Sequence, residues 1–276
     1  MTALGARMSR ASGIAGAFLW MGYKQEIAYP LSFVMTAVSA VVPAVIFYFV
    51  ALFADKTGPR VGYDYYTFVV IGLMTMTILS AGLRGFGLEL QRAVNQGRFE
   101  MLLLEPIRWR FLPLGMASWT VIDRAATSLV ILTLSIILGA RYDPRGLPAA
   151  LLILILGFAA SFAIGILSGS VMVLAKRSDP VVTLYTLAAS VLSGVYFPVD
   201  TLPGPLQALS WVIPHTYVLN ALRKGLMPQG GGMPGLSINE TLLALLAFNV
   251  VIFPLVLWIF GRSLEVGRRL GVLSGY

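Results

Sequence analysis

Six long stretches of this chain are almost free of charge, and no other feature limits its fold as strongly. They run Leu31 to Phe53, Tyr65 to Leu83, Phe111 to Gly139, Leu147 to Ala175, Val181 to Val199 and Thr241 to Phe260. A helix needs about 20 apolar residues to cross the hydrocarbon of a bilayer. Within hydrocarbon every backbone N–H and C=O must find a partner, so such runs are expected to be helices. Composition agrees: 58% of the 276 residues are hydrophobic and 12% are charged, about half the charged fraction of a soluble domain. The sequence therefore predicts an all-α integral membrane protein with six transmembrane helices, built as one domain over residues 1–276.

A seventh uncharged window, Thr201 to Leu222, is long enough to span but carries Pro203, Pro205 and Pro214 with Gly204. Those prolines remove helical hydrogen bonds. The window is expected to form two short helices that dip into the membrane or lie on it. With six spans, thirteen Lys and Arg residues fall on one side and six on the other. Basic residues mark the cytoplasmic side, which puts both termini in the cytoplasm of a cell-membrane protein. Seven spans would give twelve against seven, so the prolines decide the count. Ahead of the first span, Ile14, Ala17, Phe18 and Met21 recur at helical spacing beside the polar patch Lys24, Gln25 and Glu26. Trp20, Tyr23 and Tyr29 suit an interface, and the segment 13–29 is expected to be an interfacial helix ended by Pro30, the alternative being an extension of the first membrane helix.

Two segments outside the spans carry information about function. Glu89 to Arg110, ELQRAVNQGRFEMLLLEPIRWR, combines Glu89, Arg92, Arg98 and Glu100 with the apolar patch Met101 to Leu104 and a stop at Pro106. A charged helix with apolar anchors fits the groove of another protein, which is the expectation here; the alternative is that Met101 to Leu104 begins the next span. Ser193 to Met227 interleaves Tyr196, Phe197, Trp211 and Tyr217 with Pro198, Pro203 and Pro214. Broken backbone at membrane depth is tolerated inside protein or against a water-filled cavity, so this stretch reads as a gate or exit lining, or as an interfacial cap. Asp123 and Arg124 fall in the middle of the third window. They mark a polar point in a pathway or an inter-helix latch, or else the cytoplasmic edge of a span that starts later.

Several chemistries are excluded. The chain has no cysteine and one histidine, His215, which leaves no thiolate or His-cluster metal site. Its only Lys-Thr pair, Lys56-Thr57, follows Asp55 and lacks the glycine-rich turn that cradles phosphates. No catalytic residues and no cofactor are assigned to the chain. The net charge of +8 is scattered between apolar runs and forms no stripe for nucleic acid. Aromatic residues at the first two spans, Phe47, Tyr48, Phe49, Tyr65, Tyr66 and Phe68 among them, suit sugars, amphipathic drugs or an interface alike.

Gly97 to Ile107, GRFEMLLLEPI, and the run from Gly194 to Arg223, with Phe197-Pro198, Leu202-Pro203, Pro214 and Arg223, resemble permeases of the type-2 ATP-binding-cassette exporters. That group includes daunorubicin-resistance-type drug exporters and polysaccharide or lipo-oligosaccharide exporters. The resemblance covers nearly the full length. It implies a permease, commonly a homodimer, in membrane lipid with two cytoplasmic ATPase subunits that carry the ATP and magnesium. It also implies that the 89–106 segment, with Glu89, Arg92, Arg98, Phe99, Glu100, Met101, Leu103 and Pro106, touches the ATPase. Residues 201–227 would form re-entrant helices on the extracytoplasmic side between the fifth and sixth spans. The alternative from another class is a secondary transporter or channel, which would show matched halves and buried coupling charges.

Overall fold

The computed structural model describes residues 16, 18–24, 26–28, 30–57, 64–97, 112–175, 180–227 and 236–269. Among them the regular secondary structure is helix, joined by short turns and irregular stretches, without a strand. Residues 18–24 and 26–28 are helical ahead of α1 (Pro30–Thr57). There follow α2 (Tyr65–Asn95), α3 (Leu112–Ile137), α4 (Leu147–Ala175), α5 (Pro180–Leu192), α6 (Gly204–Ser210), α7 (Pro214–Leu226) and α8 (Ile238–Arg269).

Helix starts follow local chemistry. Asp64 caps α2, its carboxylate accepting from Tyr66 N–H and the Thr67 hydroxyl. Ser237 and Glu240 form a reciprocal box at the start of α8: Ser237 Oγ accepts from Glu240 N at 3.2 Å and Glu240 Oε2 from Ser237 N at 2.7 Å. Each device supplies acceptors for N–H groups that have no partner within the helix.

Among the described residues, five helices, α1, α2, α3, α4 and α8, are long and apolar enough to cross a membrane. The expectation was six. Across the window 181–199 the only α-helix is the 13-residue α5, which begins at Pro180 and is followed by turns and a single 3-10 turn at Val199–Thr201. At 1.5 Å per residue α5 is about 20 Å long, short of a hydrocarbon core of about 30 Å. Gly194, with φ +77°, ends the helical path in the left-handed region that glycine tolerates.

The bundle is organised around α2 and α4, which pack along each other. Of the most apolar stretch of α2, 67% is buried, against 12% for α1 and 11% for α8. The close approach depends on a stripe of small residues at four-residue spacing on α4: Gly157, Ser161, Gly165 and Gly169. A methyl group at Gly165 would lie 2.4 Å from the Gly82 carbonyl oxygen of α2, and one at Gly169 would lie 2.4 Å from the Phe86 ring. In lipid, where apolar surface alone does not drive helices together, such small-residue seams allow the backbone packing that does. Asn249 of α8 adds a polar tie, donating from Nδ2 to the Leu156 carbonyl of α4 at 3.0 Å.

Apolar clusters fill both ends. At the Asn95 end of α2, Phe86, Leu90, Met116, Phe162, Ile166 and Phe260 form one core; at the Tyr65 end, Phe68, Ile71, Leu79, Ile153, Val218 and Leu222 form another. The N-terminal helical residues reach the first core through Phe18. They also lie against α3, where Gly22 is so close to Trp119 that an added methyl would fall 2.2 Å from the indole.

Candidate functional site

Among the described residues, the segment from Ser193 to Met227 carries six of the seventeen buried polar side chains, His215 and Arg223 included. Pro198, Pro203, Pro205 and Pro214 lack N–H donors, so nearby carbonyls must be satisfied by side chains. Gln207 Nε2 donates to the carbonyls of Asp200 and Leu202 at 3.0 and 2.9 Å, Thr216 Oγ1 to Ser210 O at 2.6 Å, and Tyr217 Oη to Trp211 O at 2.9 Å. The broken segment is thereby held in one shape.

At its centre is α7, with nine of its thirteen residues buried, Pro214, His215, Asn220 and Arg223 among them. Val218 fits against Gly157, ten residues into α4, which is about 15 Å along the α4 axis. The far end of α7 is fastened to the α3–α4 connection. Asp143 N donates to Leu226 O at 2.8 Å, and Gly146 lies against the Gly225 carbonyl with no room for a methyl.

Arg223 ties three elements together. Its side chain is 4% exposed. Nη1 donates to Gly194 O at 2.7 Å, Nη2 to Val195 O at 3.0 Å and to Phe68 O at 3.1 Å, and Nε to Phe68 O at 3.3 Å. The guanidinium carbon lies 3.3 Å from the centroid of the Phe68 ring. Gly194 and Val195 stand just past α5, where the ladder stops and carbonyls are left over. The planar, five-donor fork of arginine suits several such acceptors at once. Gly72 of α2 makes the approach possible, since a methyl there would lie 2.6 Å from Val195 O and 3.2 Å from Nη2. Close by, Tyr196 stacks on Phe47 of α1 with centroids 5.2 Å apart, and its carbonyl accepts from Tyr65 Oη at 3.2 Å.

His215 is buried, with Nδ1 2.9 Å from Tyr185 Oη of α5. Its Nε2 has no partner among the described residues.

The structure divides the aromatic residues singled out from sequence. Tyr196, half-buried, faces α1; Trp211 and Tyr217 pair edge to face at 5.6 Å. Phe197 and Pro198 are half-buried, Pro203 is exposed and Pro214 is buried. Glu89 and Arg92 lie on the last turns of α2, which runs on to Asn95, and form an ion pair with each other. Arg98, Phe99, Glu100, Met101, Leu103 and Pro106 lie outside the described residues. Asp123 and Arg124 pair with each other, Oδ2 to Nε, at 3.4 Å, and both are half-buried within α3, one turn beyond Trp119. Neighbours on a helix point about 100° apart, yet the long arginine side chain reaches back to its neighbour.

Sequence reasoning gave Arg223 a place only as one fixed-looking point of a resemblance and as a charge on one side. Its burial follows from the broken end of α5, which only the fold reveals. The small residues of α4 were legible as Gly157, Ser161, Gly165 and Gly169 at constant spacing and were passed over.

A family model described as ABC-2 type transporter matches residues 16–227. The chain is also similar to the inner membrane transport permease YadH of Escherichia coli K12, at 25% identity over 250 residues, which cover 87% of this chain and 94% of that protein. The permease of the same name from Shigella flexneri matches to the same extent.

Proposed function

Because the chain belongs to the ABC-2 type transporter family, we propose that it is the membrane-spanning subunit of an ATP-driven exporter. A cytoplasmic ATPase is the partner that such a permease requires, and ATP and magnesium bind there. Two permease subunits, as a homodimer, form the pathway for a hydrophobic or amphipathic cargo, whether drug, lipid or glycoconjugate. The chain itself carries no catalytic group.

The observation that supports this reading most is the match over residues 16–227, which takes in both the N-terminal helical segment and the broken segment around Arg223. The likeness to proteins named transport permeases adds to it. In this reading α5 and the irregular stretch after it make the sixth crossing, with both termini cytoplasmic. α6 and α7 are re-entrant helices that close the extracytoplasmic end, and Tyr196, Phe197, Pro198, Pro203, Trp211, Pro214 and Tyr217 line or support that gate. Broken backbone at membrane depth, with its carbonyls satisfied by Arg223, is the arrangement that such a position allows. The residues between Glu89 and Pro106 contact the ATPase, and the Asp123–Arg124 pair sits on the cytoplasmic half of the pathway wall.

The test is reconstitution in vesicles with the cognate ATPase, assayed on a panel of amphipathic drugs and lipid-linked glycans. ATP-dependent movement of one class supports the reading. Movement driven by an ion gradient without the ATPase would replace it with a secondary transporter.

A further inference from the structure

α3 and α4 both pack on α2, and at the Tyr65 end a cavity of about 490 Å³ lies between them. Ile71 and Ile78 of α2, Leu129 and Ile136 of α3, Leu151 of α4 and Leu222 of α7 give it an apolar lining. We propose that this cavity holds one acyl chain of an anionic membrane phospholipid, whose phosphate lies against Arg141 and Arg145. The proposal does not depend on the chain being an exporter.

Three observations carry it. First, the hydroxyls in the wall are already satisfied. Thr75 Oγ1 donates to Ile71 O at 2.7 Å, Ser128 Oγ to Met74 O at 3.4 Å, and Tyr142 Oη shares a hydrogen bond with Ser135 Oγ at 2.8 Å. A cavity without free polar groups does not hold ordered water, and its size is that of a pocket for a sizeable apolar ligand. Second, its flanks open to the bilayer. Leu129 and Ile136 on one side and Leu147 and Leu151 on the other are exposed, on helices of membrane-spanning length. A lipid tail is the apolar, flexible and linear molecule present there at highest concentration, and seating it restores dispersion contacts that bare walls lack.

Third, the loop end of the cavity carries the charge that a lipid phosphate needs. Tyr142 and Pro144 line that end, and Arg141 and Arg145, both exposed, flank them in the chain. Neither guanidinium forms an ion pair among the described residues. Asp143, between them, accepts from Arg145 N at 2.9 Å, and Asp64 is engaged at the α2 cap. The loop keeps an excess positive charge, and basic clusters beside membrane helices select anionic headgroups.

The experiment uses the purified full chain, washed of loosely held lipid and exchanged into nanodiscs of phosphatidylglycerol or phosphatidylcholine, then released for native mass spectrometry. Wild type should retain one phosphatidylglycerol per chain and much less phosphatidylcholine. Ala125→Phe, at an exposed lining position, should lose that retention, with Leu129→Phe as the second variant if the first fails to fold. Arg141→Ala with Arg145→Ala should retain both lipids alike. Equal retention by wild type and both filling variants overturns the proposal, as does the absence of retained lipid in wild type. Copy-to-copy cross-linking of Leu129→Cys, clean because the chain has no cysteine, would give the cavity to a second copy. Release of the bound lipid on ATP turnover with the ATPase would give it to cargo. Either result overturns a resident lipid.

Discussion

Arg223 shows how one side chain lets a helix stop inside a membrane protein. The carbonyls of Gly194 and Val195 lie beyond the last turn of α5, and three of the four bonds from Arg223 run to these two and to Phe68 through its terminal nitrogens. Leaving buried acceptors unsatisfied costs about 1–3 kcal/mol each. Arg223→Ala is therefore expected to lower stability by at least about 2 kcal/mol, read as a fall in the midpoint of thermal unfolding in detergent. Arg223→Lys should recover little, because a single ammonium cannot span three carbonyls on two elements. A lysine variant as stable as wild type would show that charge alone, without the fork, suffices. Gly72→Ala should reproduce part of the loss, since its methyl meets Val195 O.

Between elements, the contact that governs the bundle is the α2–α4 seam. Small residues occur along it on both helices, and at Gly165 the opposing carbonyls of Gly82 and Leu83 would lie 2.4 and 2.7 Å from an added methyl. Backbone atoms cannot rotate away as a side chain can. Gly165→Ala should push the helices apart and cost about 1–3 kcal/mol. Gly204→Ala at the start of α6, where nothing lies within 4 Å, is the matching control and should be neutral. A comparison of the two melting midpoints checks this. The polar tie between α8 and α4 is weaker. Asn249→Ala removes the bond to Leu156 O, and an interhelical hydrogen bond in a membrane protein averages about 0.6 kcal/mol.

For the whole molecule, the questions are sidedness and coupling. If the broken stretch after α5 completes a sixth crossing, cysteines placed at Ser12 and Ser274 should react with an impermeant label from the same, cytoplasmic side. Opposite labelling would make the number of crossings odd. If the segment after α2 contacts the ATPase, reversal of charge at Glu100 should weaken ATPase binding or separate hydrolysis from transport. The magnitude follows from the few kcal/mol that an unpaired, desolvated interface charge costs. Wild-type affinity, hydrolysis and transport in that variant would move the contact elsewhere, to the Lys176 to Asp179 connection in the first instance.

The membrane class and the helical fold were legible in the sequence because they depend on local quantities. Uncharged length and charge placement do not change with folding. The prolines of 203–214 likewise announced broken helices, since the loss of an N–H is a property of the residue itself. What the sequence could not decide was how far α5 runs, because its window 181–199 stays apolar past Leu192 and hydropathy does not register the turn at Gly194. Nor could it show that Arg223, counted as one charge facing water, is buried against Phe68, or that Asp123 and Arg124 answer each other. Those outcomes depend on which carbonyls and side chains meet across elements far apart in the chain. Only the tertiary structure brings them together, through backbone contacts close enough to require glycine at positions 72 and 165.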